Sequence, residues 1–282
     1  MALIQMGGLG IMTLTSLTFF LWRRRVSLVD RLAVGNSLLH DRTFSLGGFL
    51  VRMVMWTLFA ELLGAIALYL LAPTPLSPFP ALFHAVSAFC NAGFSLFPDN
   101  LINWRSSWGV NLVVMALIIC GGLGFSVTEE IGRYLAGVRR RRGFIDKLSW
   151  HSGVVLSTTL FLIIAGSAAI YFAEFVGYDR QRPFGEALLV SLFQSVTCRT
   201  AGFNTIDIAG MTNLSLLIMI MLMYIGGGPG STAGGIKVTT FRVIWSFIMA
   251  QTTGRQQARY DRFAFSQETV VQSLLLCIFS AA

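Results

Sequence analysis

Residues 2–22, 47–71, 108–128, 153–175 and 212–250 are apolar runs, and each is long enough to cross a bilayer as a helix, which takes roughly 20 residues. The last is interrupted near its middle by glycines, and a sixth, shorter apolar run starts at Thr269. Only 12% of the 282 residues are charged, against about 25% in a soluble domain. The chain is therefore expected to be an all-α integral membrane protein with a membrane-embedded core.

The first run is not a secretory signal, because its basic cluster (Arg23, Arg24, Arg25) follows the apolar stretch instead of preceding it. The four cysteines, Cys90, Cys120, Cys198 and Cys277, form no CxxC pair, which argues against metal or redox chemistry. His40, His84 and His151 are isolated and read as packing or solvent-facing residues. The net charge of +8 is patterned rather than diffuse. Of the 21 basic residues, 17 lie in three places: between the first and second spans (with Arg52 near the start of the second), between the third and fourth, and after the glycine break of the fifth segment, from Lys237 on. Cytoplasmic loops collect Lys and Arg, so these regions are placed inside and the charge reports topology and lipid contact, not nucleic-acid binding.

The two connections left outside, 72–107 and 176–211, are unusual. Each starts polar or proline-rich ("PTPLSPFP", "GYDRQRP"), then turns apolar, then reaches an Ala-Gly-Phe: "FCNAGFSLF" at Gly93 and "TCRTAGFNT" at Gly202, 109 residues apart. The apolar pieces 79–89 and 184–196 are too short to span and read as re-entrant half-helices, with Pro80 and Pro183 where a helix start tolerates proline. A second echo supports duplication. "QMGGLGIMT" at Gly7 returns as "ICGGLGFSV" at Gly121 and more loosely as "YIGGGPGST" at Gly226. Such periodicity predicts repeated helix–pore loop–helix units with re-entrant half-helices.

The periodicity divides the chain into four parts. Residues 1–46 hold the second half of repeat one (span 2–22) and a cytoplasmic loop. Repeat two is 47–147 (spans 47–71 and 108–128, pore loop 79–98). Repeat three is 148–262 (spans 153–175 and 212–250, pore loop 184–205). Residues 263–282 begin repeat four. The pore loop of repeat one would fall about 20 residues before Met1, so a fragment or a mis-started reading frame is expected.

A half-helix entering from outside aims its C-terminal carbonyls at the membrane centre, where its dipole favours a cation. Carbonyls of an extended return can then replace an ion's hydration shell, and glycine allows the positive φ and close approach this needs. The expected filter is Asn91, Ala92, Gly93, Thr200, Ala201 and Gly202, with Phe94 and Phe203 bracing the strands. The ion is held by backbone carbonyls only. Arg199 should turn away to pair with Asp207 or Glu186. Asp99, Asp179, Glu186 and Asp207 are acids of the outward mouth. Glu61, inside a span, is a functional candidate by default, with structural pairing the favoured role.

"IGGGPGSTAGGIK" should unwind, since a helix loses about 1 kcal/mol per glycine and about 3 for proline. It is not a phosphate-binding loop, because Ile236 separates Gly235 from Lys237. No Ser/His, His/Glu or paired-Asp constellation lies within the spans, which excludes an intramembrane enzyme.

Together "NAGFSLF", "TCRTAGFNT", "QMGGLGIMT" and "YIGGGPGSTAGGIKVTTF" resemble the Trk/Ktr/HKT superfamily of potassium transporters along essentially the whole chain. The resemblance implies a potassium-channel-like pore architecture and potassium uptake through a central pore of the bacterial plasma membrane. It further implies a gate formed by Gly226, Gly227, Gly228, Pro229, Gly230, Ser231, Thr232, Gly234 and Gly235, with Lys237 at its cytoplasmic end. Potassium is then substrate, no cofactor is bound covalently, and sodium or a proton as coupling ion stays open. The implied partners are the bilayer, a second copy in a homodimer and a cytoplasmic nucleotide-binding regulatory subunit. The alternative is a structural or regulatory membrane subunit that does not conduct by itself.

Overall fold

The computed structural model describes residues 1–10, 46–72, 76–139, 148–176, 182–255, 257–260 and 263–281. Span 2–22 beyond residue 10, the basic stretches 23–42 and 140–147, and Asp179 lie outside the described residues. The described helices are α1 (Ala2–Leu9), α2 (Leu46–Leu71), α3 (Pro78–Phe89), α4 (Trp108–Leu123), α5 (Phe125–Arg139), α6 (Trp150–Ile170), α7 (Phe184–Thr197), α8 (Asn213–Tyr224), α9 (Val238–Thr252) and α10 (Gln267–Ala281).

Length sorts these helices by what they can do. Leu50–Leu71 of α2, and α6 with its extension Trp150–Val176, are long and apolar enough to cross a membrane. At 1.5 Å per residue, α3 with 12 residues and α7 with 14 reach about 20 Å, short of a ~30 Å hydrocarbon core. Each half-helix is flanked by longer ones: α3 packs on α2 and α4, and α7 on α6 and α4. Their contact faces make one core containing Leu68, Phe89, Val114, Phe193 and Phe203. The outward faces of α2 and α6 carry Phe59, Leu62, Leu160 and Ile164, all more than half exposed. Lipid accommodates such a surface.

Two departures from helical continuity have local causes. Where the apolar pattern predicts a continuous span over 108–128, α4 instead stops at Leu123 and the chain turns by 107° into α5. Gly124 makes the turn at φ 94°, and the Phe125 N–H donates across it to the Gly230 carbonyl at 3.3 Å. A partner more than 100 residues away in sequence completes the bend. The second departure is the π-helical turn Tyr171–Val176 that ends α6. Its wider turn places the Glu174 carboxylate against the start of α8. There it accepts from the Thr212 N–H and hydroxyl, each at 3.1 Å, and from Ser215 Oγ at 2.7 Å. A carboxylate at a helix N-terminus satisfies orphan donors and opposes the macrodipole. Glu130 of α5 does the same for α6, accepting from Ser149 Oγ at 2.8 Å and also from the Ser149 N–H and Ser152 Oγ.

A short hairpin, β1 (Arg259–Tyr260) with β2 (Phe263–Ala264), lies between α9 and α10 and has no counterpart in the apolar pattern. The Arg242 guanidinium stacks 4.2 Å from the Tyr260 ring centre and holds the hairpin to α9.

Candidate functional site

Each half-helix ends in a tight turn that feeds a short non-helical return. In the first, the Asn91 N–H donates to the Ala88 carbonyl (3.1 Å) and the Ala92 N–H to the Ser87 carbonyl (2.9 Å). In the second, the Ala201 N–H donates to the Thr197 carbonyl at 2.9 Å. A hydroxyl of the last helical turn then grips the outgoing strand. Ser87 Oγ donates to the Phe94 carbonyl at 2.8 Å, and Thr197 Oγ1 to the Phe203 carbonyl at 2.7 Å.

The returns share one backbone pattern. Asn91 has φ 50° and Gly93 φ 70°; Thr200 has φ 65° and Gly202 φ 83°; Ala92 and Ala201 between them keep negative φ. In a regular strand successive peptide groups point to opposite sides, and alternating the hand turns them toward a common side. The pattern is easy for the glycines. Asn tolerates it, whereas β-branched Thr is an outlier there, and such strain is worth on the order of 1–3 kcal/mol.

The two returns meet at their glycines. A β-carbon on Gly93 would lie 2.5 Å from the Ala201 oxygen and 2.7 Å from Gly202 Cα, and one on Gly202 would lie 3.3 Å from Gly93 Cα. Only backbone fits between them.

The glycine-rich segment after α8 packs against both returns. Its ends close on themselves through Gly226 N–H to Ile236 O (2.9 Å), Ile236 N–H to Tyr224 O (3.1 Å) and Val238 N–H to Gly227 O (3.0 Å). Its middle is pinned to the end of α4, with Gly228 N–H on Gly122 O (2.8 Å) and Thr232 N–H on Gly121 O (3.1 Å). Two of the three glycine echoes in the sequence are thus backbone-to-backbone partners. Lys237 Nζ reaches back to the Ala233 carbonyl at 2.7 Å, and Ser231 Oγ accepts from the Ala233 N–H at 3.3 Å. Thr232 Oγ1 accepts from Asn91 Nδ2 at 2.8 Å and donates to the Phe89 carbonyl at 3.0 Å. The Gly234 N–H donates to Thr200 Oγ1 at 3.0 Å.

Behind the first return, buried Glu61 accepts from Gln5 Nε2 at 3.2 Å and receives the Cys90 thiol at 3.8 Å. It joins α1, α2 and the start of the return, a pairing role. Arg199 corrects the sequence reading. It is buried, 6% exposed, and its Nε has no hydrogen-bond partner among the described residues. Glu186 is taken by Arg105 at 3.2 Å and Arg182 at 3.7 Å, and Asp207 caps the Ala209 N–H. Phe203 braces its strand at 1% exposure, whereas Phe94 is 61% exposed and does not. His84 packs within its unit, its Nδ1 2.7 Å from the Pro80 carbonyl and its Nε2 3.0 Å from Ser95 Oγ, with the ring stacked on Phe97. Glu174 escapes a sequence reading because it sits inside an apolar run. A signal was available, since an ionisable residue there is a flag by itself. No cluster of three metal-ligating side chains occurs among the described residues.

Two re-entrant half-helices whose backbone ends meet beside a glycine-rich segment define a pore-loop membrane protein. The sequence matches the family described as "TrkH: Cation transport protein" over residues 1–282, and the chain belongs to that family. It is 36% identical to the Ktr system potassium uptake protein B of Vibrio alginolyticus over 100% of this chain and 62% of the relative. Against the protein of the same name from Bacillus subtilis the identity is 34%, over 99% and 62%. The fold is similar to that of the potassium transporter TrkH from Vibrio parahaemolyticus, with a TM-score of 0.69 at 18% identity, covering 97% of this chain and 54% of that one. The chain thus spans about three-fifths of the length of these curated relatives.

Proposed function

We propose that this chain contributes to a potassium-uptake pore in which the carbonyls of Asn91, Ala92, Gly93, Thr200, Ala201 and Gly202 line the ion path. The observation that carries this reading is the matched alternation of φ in two returns that touch at Gly93 and Gly202. Such a wall offers oxygen dipoles in place of water. The half-helices α3 and α7 add the negative ends of their dipoles. The names of the Ktr relatives, potassium uptake proteins, support the choice of ion.

Residues 226–235, with Lys237 at their cytoplasmic end, act as the gate. Their place against both returns supports this, since an irregular segment there can occlude the path or withdraw from it. The protein resides in the plasma membrane with its basic loops cytoplasmic, in keeping with the distribution of Lys and Arg. It works as a homodimer with a cytoplasmic nucleotide-binding regulatory subunit.

The test is growth of potassium-uptake-deficient cells carrying the full-length gene with its regulatory partner. Growth at low potassium is expected. Normal membrane insertion without growth would contradict the reading.

A further inference from the structure

The residues that precede each glycine pose a question. Asn91 and Thr200 adopt positive φ, where glycine would sit without strain. Each carries a side chain that glycine lacks, and each uses it on the same partner segment. Asn91 Nδ2 donates to Thr232 Oγ1, and Thr200 Oγ1 accepts from the Gly234 N–H. Thr232 is itself fixed from two further sides, its hydroxyl on the Phe89 carbonyl and its N–H on the Gly121 carbonyl. Gly121 has no room for a side chain at that junction, since a β-carbon would lie 1.9 Å from the Phe89 oxygen.

We infer that Thr232 is a positioning residue for the ion path: its hydroxyl, with the Gly234–Thr200 bond, holds the two returns in their alternating conformation. The inference rests on the pore reading given above and deepens it. One hydroxyl bridges the last carbonyl of α3 and the side chain of the first strained residue, so the end of the half-helix and the return keep a fixed relation. The second tie fixes the other return to the same segment two residues later. Displacing residues 226–235 would release Asn91 and Thr200 together. Segment and returns are therefore one mechanical unit, and ion preference depends on a residue that need not touch the ion.

The experiment compares purified full-length wild-type protein with Thr232→Val and Thr232→Ser, reading thermal stabilisation against potassium and sodium concentration. Valine keeps the shape and removes both side-chain hydrogen bonds; serine keeps the hydroxyl. The preference for potassium over sodium is expected to fall about tenfold in Thr232→Val and to stay within about twofold of wild type in Thr232→Ser. An unchanged preference in Thr232→Val overturns the inference. A second arm is independent of ion binding: melting of Asn91→Ala, Thr232→Val and the double variant. A double variant no less stable than the worse single one supports the brace, and strict additivity overturns it. Should the wild type show no ion preference, the pore reading fails and the second arm alone decides the brace.

Discussion

The two returns are alike where they meet and unlike where they are supported. At the meeting point, φ signs, glycines and hydroxyl grips correspond one for one. Behind them, the first rests on the Glu61–Gln5–Cys90 cluster, while the second has buried Arg199 at the position of Cys90 and Gln194, whose amide atoms have no partner among the described residues. Phe94 is exposed where Phe203 is enclosed. The two returns share the backbone pattern and differ in their supports. In the proposed pore an ion would read carbonyl positions, and many different packings can hold a carbonyl in place.

That contrast can be broken most forcefully at the phenylalanines. Phe203→Ala should cost about 3 kcal/mol of stability, the lower end of core values, because lipid already offers an apolar alternative and the lost packing dominates. Phe94→Ala should cost under ~1 kcal/mol. Reversible unfolding of the full-length protein in detergent measures both, and equal losses would deny the asymmetry. A smaller effect sharpens the likeness instead. Ser87→Ala and Thr197→Val each remove one hydroxyl-to-carbonyl bond, worth about 1 kcal/mol, and the two should weaken stability to a similar degree in the same assay.

Much of this was legible in the sequence for physical reasons. Bilayer thickness turns run length into architecture, so α2, α6 and the two short half-helices follow from counting, and the glycine echoes point to Gly93 and Gly202. The positive φ of Asn91 and Thr200 was not legible, because neither residue type announces it and the segment that stabilises it is 34 to 141 positions away. The bend at Gly124 was hidden for a similar reason: glycines are common in membrane helices, and the segment that packs across this turn through Gly228, Gly230 and Thr232 is more than 100 residues away. The partner of Arg199 was not legible, because the ion pairs of Glu186 with Arg105 and Arg182 form only in the fold.

In the proposed pore, the contact between Gly93 and Gly202 forms part of the ion path. Potassium and sodium uptake by the full-length protein in liposomes, with Gly93→Ala and Gly202→Ala, tests it most directly. Both variants place a side chain at positive φ, and Gly93→Ala also drives a methyl into the Ala201 carbonyl. Both are predicted to lose potassium selectivity, with Gly93→Ala losing on the order of tenfold or more of its potassium uptake rate and Gly202→Ala less. Wild-type rates and selectivity in both variants would contradict the claim.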